Sequence, residues 1–201
     1  LLKKWSLLIG LLFLILLLTA CSFMGQQDGS ITAEDIPDEP SKDEISSAIE
    51  RASNDEIDDI IEANFPLMEE ITGESQKAEI YATKEFKLTE LASVLSTTVK
   101  PEEISEVKDN QQILIYPDEF ITLRESDEDQ DVLMIEVAGD EFVKRNYSSS
   151  FLSTYFTIRL LENMLGVNNW GNRSRGEYRG MRDIPNRGNT TFRGGGPGAG
   201  K

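Results

Sequence analysis

Three short apolar runs follow one another in the middle of the chain: Gln111–Tyr116 (QQILIY), Glu119–Arg124 (EFITLR) and Val132–Val137 (VLMIEV). Each has strand length and is rich in Ile, Val, Leu and Phe. Each ends in a turn signal: Pro117-Asp118, then the acidic run Ser126–Asp131, then Ala138-Gly139-Asp140. Such a series folds as an antiparallel meander, and flanking segments must cover it. Lys77–Phe86 (KAEIYATKEF) has β character, and Leu88, Leu91, Val94 and Leu95 recur at helical spacing. Glu141–Tyr147 reads either as a fourth strand or as the lead-in to a last helix. In that helix, capped by Ser148–Ser150, one apolar row is Phe151, Tyr155, Ile158, Leu161 and Leu165. A second row is Leu152, Phe156, Leu160 and Met164. Two rows make a wide apolar face. The expected fold class is α+β: a small antiparallel sheet packed with helices over residues 75–166.

The chain has no His and one Cys among 201 residues. That removes His-based triads, imidazole acid–base chemistry and metal sites built on His or several Cys. It also removes an internal disulfide. No cofactor is expected, because no phosphate loop, dinucleotide fingerprint or nucleophile elbow is present. Asp127, Asp129 and Asp131 alternate as in a calcium loop. Val132 and Ala138, however, stand where such a loop needs Gly and Glu, so the run reads as a solvated hairpin loop and no metal site is expected.

The N-terminus points to a membrane. Lys3 and Lys4 precede an almost wholly apolar stretch, Ser6–Leu18, and Leu18-Thr19-Ala20-Cys21 follows. A branched aliphatic residue, two small residues and a Cys form the pattern at which a thiol is acylated and the chain cut before it. Residues 1–20 read as a lipoprotein signal peptide, with cleavage between Ala20 and Cys21 and lipidation of Cys21. The bland alternative is an uncleaved membrane helix, for which the run is slightly short. Residues 21–40 are polar and acidic and read as a flexible tether. Residues 41–74 read as an acidic helical segment: Ser41–Glu44 is a capping-box pattern, Ser53–Glu56 repeats it, and Pro66 stops the second helix.

Charge divides the chain. Net charge is -16, and loss of Lys3 and Lys4 with the signal peptide would take it to -18. So acidic a chain is repelled by nucleic acid, and no nucleic-acid partner is expected. Residues 167–201, by contrast, read as a disordered basic Gly/Arg-rich tail, with Arg173, Arg175, Arg179, Arg182, Arg187 and Arg193 among Trp170, Tyr178 and Phe192. Three roles stay open for it: folding back on the acidic body, binding anionic wall polymer or lipid headgroups, or docking an envelope protein.

Ile113–Asp118, Leu133–Val143 with Lys144-Arg145-Asn146-Tyr147, the following helix, Trp170 and Arg179-Gly180 together resemble small lipoproteins of Gram-positive, spore-former-type bacteria that share a domain of unknown function. The resemblance implies lipoprotein topology and a compact domain, and no activity. The expectation is a lipid-anchored protein on the extracytoplasmic face of the cell membrane, acting as a non-catalytic envelope binding or assembly factor. The alternative is a carboxylate-dependent envelope hydrolase, for which no site residues stand out.

Overall fold

The computed structural model describes residues 31–53, 55–73, 76–173 and 175–181. Helices α1 (Lys42–Arg51) and α2 (Ile57–Asn64) precede strands β1 (Leu67–Thr72) and β2 (Lys77–Thr83). Helix α3 (Leu88–Thr98) leads into β3 (Glu103–Ile104), β4 (Gln111–Ile115), β5 (Glu119–Glu125) and β6 (Leu133–Gly139). Four short helices close the described chain: α4 (Asp140–Asn146), α5 (Ser149–Leu152), α6 (Ile158–Met164) and α7 (Trp170–Arg173). Among these residues no helix is long and apolar enough to cross a membrane.

The strands form one antiparallel sheet in the order β1-β2-β6-β5-β4-β3. The expected meander forms its right half. The hairpin β1–β2 completes it by pairing β2 with β6. Because side chains alternate along a strand, Leu133, Ile135 and Val137 of β6 join Ile121, Leu123 and Leu114 on one face. That face is covered by α1–α3 through Ile45, Ile49, Ile57, Ile60, Leu91 and Leu95. Met134, Ala138, Phe120, Ile113 and Ile80 point to the other face, under the helices that follow β6. The α+β expectation holds, and the sheet is buried on both sides.

Local chemistry explains the element ends. Ser41 N–H donates to the Glu44 carboxylate at 3.0 Å, closing one half of the capping box that starts α1. Phe65 is extended (φ -128, ψ 143) because the residue before Pro66 is driven out of the helical region, and α2 ends there. Asp140 and Glu141 open α4 and Lys144 and Arg145 close it, as the helix dipole favours. Glu141–Tyr147 is thus almost wholly helix rather than strand.

Four expectations need correction. Residues 31–40 belong to the body and not to a free tether. Ile31 and Ile36 are buried in the core, Ala33 N–H donates to Asp129 at 3.1 Å, and Lys84 N–H donates to Glu39 at 2.9 Å. The acidic segment 41–74 is helical only to Asn64; β1 is an edge strand whose polar outer residues hide its alternation. The long last helix is two short ones. Ser153 and Thr154 donate to the carbonyls of Ser150 and Phe151 at 2.9 and 2.7 Å, and local bonds of this kind compete with continuation of a helix. Thr157 then caps α6, accepting from Leu160 N–H. Finally, the domain does not end at 166: Trp170, Tyr178 and Met181 are all buried in it.

Candidate functional site

The alternation that buries Met134 and Ala138 also carries Glu136 inward. Its side chain has 0% exposure, the only acid among the described residues so enclosed. The Tyr147 hydroxyl, at the C-terminus of α4, donates to Glu136 Oε1 at 2.8 Å. The Tyr178 hydroxyl and the Met181 backbone N–H lie close to the same carboxyl. Thr122, the cross-strand neighbour of Glu136 on β5, lies beside Tyr147. Burial pushes the Glu136 carboxyl up to about 7, and the hydrogen bond from Tyr147 works in the opposite direction. Burial likewise holds the Tyr147 hydroxyl well above its ordinary range, with the Glu136 charge adding to the effect.

Residues 176–181 form a strap over this carboxyl. Tyr178 N–H donates to the Asn146 carbonyl at 3.0 Å, and Ser148 N–H donates to the Tyr178 carbonyl at 2.8 Å. The Tyr178 ring sits edge-on to Tyr147 at 5.0 Å and to Phe142 at 5.7 Å. Two glycines make the approach feasible. A Cβ on Gly176 would lie 2.3 Å from the Asn146 oxygen. Gly180 has φ +70, and a Cβ there would stand 3.5 Å from Glu136 Oε2.

One row along the same sheet face, Gln111 and Arg124 are cross-strand partners and both are buried. Arg124 Nη2 is ion-paired with Asp127, whose carboxylate is largely exposed. The acidic loop that resembled a calcium site is therefore occupied with structural work. Asp127 holds Arg124, Asp129 receives Ala33, and Asp131 pairs with Lys87 at 2.9 Å. Among the described residues no three acidic or thiol side chains are gathered to hold a metal ion.

A second raised carboxyl, Glu119, begins β5. Burial, followed by the charges of Asp58, Asp118, Asp140 and Glu79, pushes it up to about 7. It shares the face of Ile121 and Leu123, toward α1–α3, whereas Glu136 shares the face of Met134 and Ala138. The sheet stands between them. These two carboxyls cannot flank one scissile bond, as a paired-carboxylate hydrolase requires.

Of the residues singled out in the sequence, Arg175 and Arg179 are exposed on either side of buried Tyr178, and Arg173 ends α7. Trp170 and Tyr178, read as interleaved tail aromatics, are core residues instead; Trp170 donates its indole N–H to the Lys144 carbonyl at 3.0 Å. Ala20, Cys21, Arg182, Arg187 and Arg193 lie outside the described residues. Glu136 itself was missed. Its one signal was an acid interrupting VLMIEV at an inward position of an otherwise apolar strand.

A two-sided antiparallel sheet holding a sealed carboxyl defines an α+β domain with helices on both faces. The chain belongs to the family described as a domain of unknown function (DUF4247), which matches residues 45–201. No curated protein and no solved structure matches the chain.

Proposed function

We propose that this is a lipid-anchored extracytoplasmic protein that binds or assembles components of the cell envelope and does no chemistry on them. The observation that carries the reading is Leu18-Thr19-Ala20-Cys21 at the end of an apolar run, ten positions before Ile31, the first described residue, which is buried in the domain. Fully extended, that connection spans at most about 36 Å, so the domain works close to the bilayer. The placement of the two raised carboxyls on opposite sheet faces favours binding over hydrolysis. The anionic-surface role falls to Arg173, to Arg175 and Arg179 around the strap, and to Arg182, Arg187 and Arg193 beyond it. The Arg guanidinium pairs bidentately with phosphate, which wall polymers and lipid headgroups supply.

Metabolic palmitate labelling with and without globomycin tests the anchor. Wild type takes up label and accumulates as precursor under the inhibitor, and Cys21→Ala takes up none. A wild-type protein without label ends the lipoprotein reading. Co-sedimentation with anionic liposomes and with purified walls tests the Arg surface. Binding falls when Arg173, Arg175, Arg179, Arg182, Arg187 and Arg193 are changed together to Gln, and it weakens with salt. Binding that is unaffected by the change removes this role.

A further inference from the structure

The strap is held differently from the strands. Strands β4, β5 and β6 share continuous ladders. Residues 176–181 are pinned by the backbone bonds of Tyr178 to Asn146 and Ser148 and by the packing of the Tyr178 ring against Tyr147 and Phe142. Gly180 lies directly over the carboxyl. While the strap is closed Glu136 has no exposed surface, and an ionised carboxylate in such a place is costly. With the strap away, Glu136 meets water and ionises at little cost.

We propose that residues 176–181 are a proton-gated latch, closed over protonated Glu136 and opened by its ionisation. Opening uncovers an aromatic surface formed by Phe142, Tyr147 and Phe151. The inference is independent of whether Cys21 is acylated.

The groups around Glu136 leave it as the one that titrates near neutrality. Tyr147 faces it from the end of α4, Thr122 and, one row along, Arg124 from β5, Ile80 from β2, and Tyr178 from the strap. Arg124 is paired with Asp127, and Lys144 of α4 is paired with Asp140 and Glu141. Arg179 lies on the exposed side of the strap. Uncovered, the carboxyl titrates at its ordinary value of 4.5; covered, at about 7. Protonation thus favours the closed form. The opening constant rises about tenfold per pH unit between these limits and levels off above the upper one.

Hydrogen exchange of the full chain in mild detergent, from pH 5 to 8 and corrected for intrinsic rates, tests the latch. The Ser148 and Tyr178 amides are expected to exchange faster than those of β5 and β6 at every pH. Their protection should fall about fortyfold from pH 5 to 7 and only about twofold more by pH 8. In Glu136→Gln the protection should not change with pH. Tyr147→Phe keeps the ring and removes the bond to Glu136 that favours the ionised carboxyl, so its plateau should begin at higher pH. Protection that is flat with pH in wild type overturns the proposal. So does exchange of the strap together with β5 and β6, which would report only global unfolding. Wild-type pH dependence in Glu136→Gln has the same force. If that variant does not fold, an unmoved plateau in Tyr147→Phe decides against the latch.

Discussion

Ending the chain at residue 166, where composition suggests that the domain stops, should unfold it, and ending it at residue 181 should not. The shorter chain loses Trp170, Tyr178 and Met181, which are 2%, 0% and 4% exposed. Burying a side chain of this size contributes about 1.5–3 kcal/mol, so the three together contribute about 5–9 kcal/mol as an upper bound. One term offsets the loss. Uncovering Glu136 relieves its burial, and a carboxyl held at about 7 instead of 4.5 represents about 3 kcal/mol at pH 8. The net cost is then about 2–6 kcal/mol, a large part of the stability of a small domain. Urea titrations followed by circular dichroism, at pH 5 and at pH 8, measure it. The 181 chain should keep the full-length midpoint. The 166 chain should lose more stability at pH 5 than at pH 8, because the relief term is nearly absent at pH 5. Equal midpoints for the two truncated chains would refute the assignment of residues 170–181 to the core.

Leu161→Asp places an unpaired charge at a position with 0% exposure and should cost about 3–5 kcal/mol; a thermal melt unchanged from wild type would show that α6 does not pack there. Gly176→Ala forces a methyl into the Asn146 carbonyl and should cost about 1–3 kcal/mol in a urea titration, with the strap amides losing protection first. Glu119 is raised by burial and by neighbouring acids, so it destabilises the fold progressively as pH rises from 4.5 to about 7. Glu119→Gln should therefore flatten the pH dependence of stability across that window, and a carboxyl chemical-shift titration of wild type should place the Glu119 midpoint well above the ordinary value of 4.5.

The central sheet was legible because its strands are short, apolar and punctuated. β4, β5 and β6 begin at or within one residue of the runs that announce them. Helix α3 was legible from its Leu spacing. β1 was not, since an edge strand needs only one buried side chain, Ile71, and LMEEIT carries no clear alternation. The broken final helix defeats apolar periodicity because both halves keep the same rows; the break is written in the hydroxyls of Ser153 and Thr154, which act on the backbone. The strap was hidden for a further reason. Averaged over residues 167–201, Gly and Arg dominate, yet the fold needs only a few anchors there, and Gly176 and Gly180 serve close packing instead of disorder. Residues 31–40 mislead in the same way, with Ile31 and Ile36 isolated among acids. Glu136 could not be assigned a role from sequence, because its partners Tyr147 and Tyr178 come from two later segments.

The pairing of β2 with β6 has a consequence for how the chain reaches this fold. Thr83 meets Leu133 and Ala78 meets Ala138, contacts separated by about fifty to sixty residues. If the chain is threaded across a membrane from its N-terminus, the β1–β2 hairpin arrives with nothing to pair against. A lone two-stranded hairpin is marginal in water. Its apolar edge must wait through α3 and strands β3, β4 and β5 before β6 supplies the ladder, and closing so long a loop slows folding. The acids at Glu69, Glu70 and Glu79, beside Lys77, lie on that waiting hairpin. Their charge keeps it from pairing with another chain during the interval in which its own partner has not yet emerged.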